Sequence, residues 1–149
     1  MTQRSTAIAV LLVPVMLAGG CFWAEPEGIG LDDGTLKPCP ESPNCVSSRE
    51  KGEQRVEPLE FHGTLDETQK EIVAFLKEDY GASVVDRSDT YLYLTVRTTL
   101  GFVDDLQFRF VPTKSIVHVR SASRVGRSDL GVNRERVEAL RNQLRGSSE

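Results

Sequence analysis

No stretch of this 149-residue sequence stays apolar for the roughly 20 residues that a bilayer-crossing helix needs. The longest apolar run, Ala7 to Ala18, is far shorter and is broken by Pro14. Histidine is nearly absent: His62 and His118 stand far apart, a poor basis for a metal site. Cysteine is limited to Cys21, Cys39 and Cys45. The chain has no Gly-x-Ser-x-Gly nucleophile elbow, no Walker-type phosphate loop and no GxGxxG fingerprint. It also has no internal repeat and no low-complexity tract. These absences remove the motif-borne enzyme classes and turn attention to surfaces and charge.

What is present begins at the N-terminus. Met1 to Arg4 is short and basic, Ala7 to Ala18 is apolar, and Gly19-Gly20 precede Cys21, the order of a secretory signal. LAGGC, Leu17 to Cys21, resembles the bacterial lipobox, in which the cysteine becomes the lipid-modified first residue of the mature chain. Ala18 stands where a larger apolar residue is usual. An ordinary secretory signal cut nearby is the alternative, and export follows from either. The expected organisation is a lipoprotein-type signal over 1–20, then lipidated Cys21 and a flexible acidic tether over 21–35. One α+β domain follows over 36–146, with a short tail over 147–149.

Cys39 and Cys45 lie in PCPESPNC, where Pro40 and Pro43 favour a tight non-helical loop, and export to an oxidising compartment favours a disulfide between them. A metal pair is the rival, weakened by the scarcity of histidine. The formal net charge of −4 is unevenly placed: residues 25–113 hold 9 basic and 18 acidic side chains, whereas 114–145 hold 8 basic and 3 acidic. Such asymmetry marks either a surface for an acidic partner or two halves of one domain that neutralise each other.

Periodicity supplies the elements. Thr64 and Glu67 match a capping box before a helix with Leu65, Ile72, Val73, Leu76 and Tyr80 on one stripe, and Gly81 ends it. Asn133 is expected to cap a last helix whose face is Val137, Leu140 and Leu144, closing at Gly146. Residues 56–61, 83–86, 91–98, 104–111 and 115–123 read as strands. The order β-α-β-β-β-β-α predicts a two-layer α+β domain: an antiparallel sheet of about five strands with both helices on one face.

Register sharpens this. Pairing Val111 with Ile116 sets Phe110 against Val117, Phe108 against Val119, Leu106 against Ser121 and Asp104 against Ser123 on the helix-covered face. Extending to the preceding strand, Leu94 is expected opposite Phe108 and Val96 opposite Leu106. The outer face then carries Tyr91, Tyr93, Thr95, Arg97, Asp105, Gln107, Arg109, His118, Arg120 and Arg124. Asp105 is expected opposite Arg97 and diagonal to Arg120 and Arg124. That face is a solvated charge ladder, a docking surface for a sugar, phosphate or protein, or a catalytic surface.

Asp104 and Asp105 look like a carboxylate pair, but adjacent strand residues point to opposite faces and cannot share a proton or an ion. Asp104 reads instead as a satisfied carboxylate beside Ser121 and Ser123. In RVGRSDLG, Arg124 and Arg127 can hold an anion, while Ser128, Asp129 and Asn133 compete for the helix N-terminal N–H groups. The candidate ligand or partner face is therefore Arg97, Asp105, Arg120, Arg124 and Arg127. The structural polar corner is Asp104, Ser121, Ser123, Asp129 and Asn133.

LKPCPESPNCVSS, GFVDDLQF and VRSASRVGRSDLGVNRERVEALR together resemble the bacterial and plastid family known as domain of unknown function number 1499, over about Leu36 to Leu144. Its blocks include Gly126, Gly131 and Arg136 besides the cysteines, aspartates, serines and arginines named above. The resemblance implies an envelope or lumenal protein with no assigned activity, and it transfers no catalytic residue. The reading is an exported lipoprotein of the bacterial envelope, facing periplasm or exterior, held to the membrane by its N-terminal lipid. It acts by binding an anionic small molecule, phospholipid headgroup, polysaccharide or envelope protein. No nucleic acid, cofactor, metal or catalytic residue belongs to this reading. The alternatives are a small envelope enzyme centred on Asp104, Asp105 and neighbouring arginines, or a carrier with a helix-grip-like cavity.

Overall fold

A computed structural model describes residues 28–99 and 101–147. Cys21 and the lipobox-like stretch lie outside the described residues. Eight strands are formed, β1 Leu31–Asp32, β2 Thr35–Leu36, β3 Cys45–Ser47, β4 Leu59–Glu60, β5 Ser83–Arg87, β6 Tyr91–Arg97, β7 Val103–Val111 and β8 Ile116–Ser123. Two α-helices, α1 Leu65–Tyr80 and α2 Val132–Gly146, and short 3-10 turns at Gly52–Gln54 and Pro112–Lys114 make up the other regular elements of the described residues. The order β3-β8-β7-β6-β5 makes an antiparallel sheet, and β4 pairs with β8 end to end with β3. The α+β class and the common helical face are as expected; the sheet has six strands because the cysteine loop supplies β3.

The α1 start follows its sequence signal. Thr64 Oγ1 accepts from the Glu67 N–H while the Glu67 carboxylate accepts from the Thr64 N–H, and Gly81 takes the left-handed C-cap conformation at φ 62°. α2 starts differently. Gly131 is its N-cap and contributes no side chain, and the Asp129 carboxylate accepts from the N–H groups of Gly131 and Asn133. Asn133 is thus not the cap: its side chain turns inward, fully buried, to satisfy polar groups at the sheet end.

The core fills the space between sheet and helices. Leu92, Leu94, Leu106, Phe108, Phe110, Val117 and Val119 face Ile72, Leu76, Val137 and Leu140, all at most 1% exposed. Burying each such side chain contributes about 1.5–3 kcal/mol. These side chains fill the space that the alternative reading, a carrier with a helix-grip-like cavity, would use.

The β7–β8 register is the predicted one, from Val111↔Ile116 to Asp104↔Ser123. The β6–β7 register differs by two residues: Leu92 opposes Phe108, Leu94 opposes Leu106, and Arg97 opposes Val103 rather than Asp105. The connection decides it, because the Thr98 N–H bonds to the Phe102 carbonyl and the Gly101 N–H to the Thr98 carbonyl, letting the strands pair up to Arg97. A two-residue slip preserves which face each side chain takes, so the inner and outer sets stand.

The second face is the larger departure. Residues 28–35 of the span expected as tether, with Leu36, form a strap: Ile29 and the β1–β2 hairpin residues Leu31 and Leu36 pack on Tyr91 and Tyr93. The outer face is therefore covered at its centre rather than solvated.

The expected disulfide joins Cys39 to Cys45, Cα atoms 5.7 Å apart, and secures the entry to β3. Replacing both cysteines by serine should lower the unfolding free energy by about 2 kcal/mol, read by urea titration. Hydrogen–deuterium exchange should accelerate first across Cys45–Ser47.

Candidate functional site

Because Asp104 and Asp105 are consecutive on β7, the sheet sends them to opposite sides. Asp104 faces the helices. Its Oδ2 accepts from Arg136 Nη2 at 2.8 Å and its Oδ1 accepts from Ser123 Oγ at 2.6 Å. Both charged partners are buried, at 2% and 3% side-chain exposure. The neighbouring valences close in turn: Ser121 Oγ donates to Asn133 Oδ1, and Asn133 Nδ2 donates to the Asn44 carbonyl and to Ser123 Oγ. Arg136 also donates to Asn133 Oδ1 and stacks 5.3 Å from the Tyr80 ring centre.

Of the expected polar corner, Asp104, Ser121, Ser123 and Asn133 are brought together here around the Arg136 cation, whereas Asp129 bonds to the backbone at the start of α2. Arg136 was identified only as part of a sequence block. Its one legible signal is that it falls three residues after Asn133, on the same helical face. Ser121 serves Asn133 rather than Asp104.

Asp105 faces the strap. Arg124 Nε donates to both carboxylate oxygens, at 3.1 and 3.0 Å, and Nη2 donates to Oδ1 at 2.8 Å. Tyr93 donates its hydroxyl to the same Oδ1 at 2.7 Å. Burial first, then the bond to Asp105, pushes the Tyr93 phenol up to about 12, so it remains the donor at neutral pH. The bond to Asp105 likewise raises Arg124 above its ordinary range.

Of the candidate face, Arg124 and Asp105 are thus brought together and satisfy each other. Arg97 is exposed and, among the described residues, donates to the Gly101 carbonyl at 3.3 Å, and Arg127 is exposed in the β8–α2 loop. An anion at the start of α2 meets the Asp129 carboxylate already seated there. The carboxylate pair of the enzyme reading is divided by the sheet. Neither the open groove of about 800 Å³ lined by Phe75, Tyr80 and Gln143 nor the 520 Å³ cavity beside Cys45 and Leu130 is lined by Asp104 or Asp105.

Arg120 is the exception on this face. It is 2% exposed, and among the described residues its side chain makes no hydrogen bond or ion pair; its buried Nε has no partner. Burial pushes its guanidinium below the ordinary range, with Asp105, Tyr91 and Glu50 opposing. Above it lies Gly28 at φ 79°, where an added Cβ would sit 2.6 Å from Arg120 Nη2, so only glycine fits. Beside it Gln107, fully buried, holds the strap: Oε1 accepts from the Gly30 N–H at 2.8 Å, and Nε2 donates to the Gly28 carbonyl at 3.1 Å. Tyr91 donates its hydroxyl to the same Oε1, and Arg109 donates to the Gly34 carbonyl.

His118 lies at the far end of this face, its Nδ1 3.0 Å from Ser48 Oγ. Burial first, then the cations Arg49, Lys114 and Arg109, hold its pKa below the ordinary 6.5.

A two-layer α+β domain with a strapped outer face, its sheet separating two arginine–carboxylate centres, is the class these observations define. The chain matches the family model described as "Protein of unknown function (DUF1499)" over residues 35–144 and belongs to that family. No curated protein and no solved structure matches it.

Two outcomes test this account. Arg136→Met should cost about 3–5 kcal/mol by stranding the Asp104 charge, and adding Asp104→Leu should recover part of that loss, measured as a double-mutant cycle in urea. Because His118 titrates below its unfolded value, the unfolded state takes up the proton first. Its contribution is present above pH 6.5 and is lost as pH falls through the lower folded value. His118→Gln should flatten that part of the stability–pH curve.

Proposed function

We propose that this chain is an exported, lipid-anchored protein of the bacterial envelope that acts by binding, and that Arg120 is the group that reads an anionic ligand. The observation carrying this is the buried guanidinium with no partner among the described residues. An unpaired buried charge costs several kcal/mol, so a natural complement is an anion brought from outside. A guanidinium suits carboxylate or phosphate oxygens taken two at a time. The nearest carboxylate, Asp105, is already engaged by Arg124 and Tyr93.

Access runs through the strap. Its grip on this stretch is the Gln107 side chain together with a small apolar contact on Tyr91 and Tyr93, so lifting Gly28 and Gly30 exposes Arg120 without disturbing the core on the other face. Tyr91 and Gln107 then supply donors beside the guanidinium.

The test is thermal denaturation of the full chain with inorganic phosphate, glycerol 3-phosphate or galacturonate, against Arg120→Met. At least one anion should raise the melting temperature of the native chain and have no effect on the variant. The variant should itself be more stable by about 1–3 kcal/mol, since it removes an unmatched charge while keeping similar bulk. A probe that still protects the variant, or no response of the native chain to any of the three, overturns the site.

A further inference from the structure

The strap over Arg120 is itself a length of peptide held in a site, and the way it is held describes what can replace it. Gln107 is fully buried, and its side-chain amide grips the strap by main chain alone. Nε2 donates to the Gly28 carbonyl at 3.1 Å, and Oε1 accepts from the Gly30 N–H at 2.8 Å. A side-chain amide, offering donor and acceptor together, complements the main chain of a peptide of any sequence. Arg109 adds a third main-chain bond, from Nε to the Gly34 carbonyl. Between the two glycines, Ile29 packs against the Leu36, Tyr91 and Tyr93 cluster. Main chain read by polar groups and an alternate side chain read by an apolar surface are the two parts of extended-peptide recognition.

What the strap lacks is the anion. Over Arg120 it presents Gly28, and the point where a Cβ would stand is 2.6 Å from Nη2 and 3.1 Å from Cζ. That spacing excludes carbon but is close to the about 2.7–2.9 Å at which a guanidinium donates to a carboxylate oxygen. An acidic side chain needs at least a Cβ between main chain and carboxylate, and there is no room for it. A terminal carboxylate needs none, because it is the end of the main chain itself. Among the described residues the nearby acids are committed elsewhere: Asp105 to Arg124 and Tyr93, Glu50 to the Cys39 N–H.

We propose that the ligand of this face is a short peptide with a free C-terminal carboxylate, which displaces Gly28 to Gly30. The carboxylate lies on Arg120, the adjoining peptide group on Gln107, and the neighbouring side chain on Tyr91 and Tyr93. The inference rests on Arg120 as the anion-reading group and adds the class of ligand. The strap is then a stand-in, matched to the site in main chain and wanting in charge.

The test titrates the full chain by calorimetry with acetyl-Gly-Ile-Gly bearing a free carboxylate, with its C-terminal amide, with acetate and with inorganic phosphate. The free acid should bind about tenfold tighter than acetate, through the main-chain bonds that acetate cannot make, and the amide should not bind. Arg120→Met should abolish binding of the acid. Gln107→Met should reduce the acid to the affinity of acetate without weakening acetate. Hydrogen–deuterium exchange at the Gly30 N–H should accelerate as the acid binds; exchange left unchanged overturns displacement of the strap. Acid, amide and acetate are compared on the native chain, so the result stands even where a variant at a buried position fails to fold. Acetate or phosphate binding that Arg120→Met removes, with the peptide no tighter, overturns the peptide class and leaves Arg120 as the anion-reading group. Equal binding of acid and amide puts the peptide elsewhere and overturns the proposal. If neither peptide nor simple anion binds, the class and the Arg120 site fall together.

Discussion

The ion pair between Asp104 and Arg136 is the constraint on which the rest of the domain is built. Both groups are withdrawn from water, where a lone charge is intolerable, so the end of β7 and the first turns of α2 must stay in register with each other. Ser123, Asn133 and Asn44 bond around the pair, leaving Arg136 Nε without a partner among the described residues, and Asn44 recruits the loop leading into β3. That loop is closed covalently by Cys39 and Cys45. Helix, central strands and cysteine loop thereby meet at one polar point under an apolar core. One residue further along β7, Asp105 repeats the arrangement through the other side of the sheet with Arg124.

These pairings answer what the uneven charge of the chain is for. Half of the eight basic side chains over 114–145 are engaged internally. Arg124 and Arg136 neutralise the two adjacent aspartates, Arg134 donates to the Arg55 and Glu53 carbonyls, and Arg141 donates to the Glu57 and Pro58 carbonyls. Two ion pairs among the described residues thus join the acidic and basic parts of the sequence within one fold. Against that background a buried arginine with no described partner stands out by chemistry rather than by location.

Much of the fold was legible because β7 and β8 alternate cleanly on either side of a tight Pro112–Lys114 turn, which leaves one register open. Parity protected the assignment of faces even where the β6–β7 pairing was displaced, since that displacement was even. The strap was hidden for a different reason. Its residues are glycine-rich and acidic, the composition of a solvated linker, and their few apolar side chains find a partner only once Tyr91 and Tyr93 are folded into a sheet. Cys45–Ser47 resembled a loop because its pairing with Arg120–Ala122 is long-range and carries no local periodicity. Asn133 was misread as a cap because the residue type suits both roles. The depth of burial, which decides between them, follows from helix placement. The same depth separates Arg120 from Arg124, two arginines that sequence alone presents as equivalent.

The strap also has a mechanical character. Its bonds to the sheet lie in series along a short path, Gly28 and Gly30 to Gln107 and then Gly34 to Arg109. A pull on the chain upstream of Gly28 loads them one after another, as in peeling, instead of sharing the load as parallel strands in shear do. The β7–β8 ladder lies outside this line of force. A force applied at Gly28 would therefore strip the cover from Arg120 long before it disturbs the core, so the two faces of the sheet differ in how they yield to load.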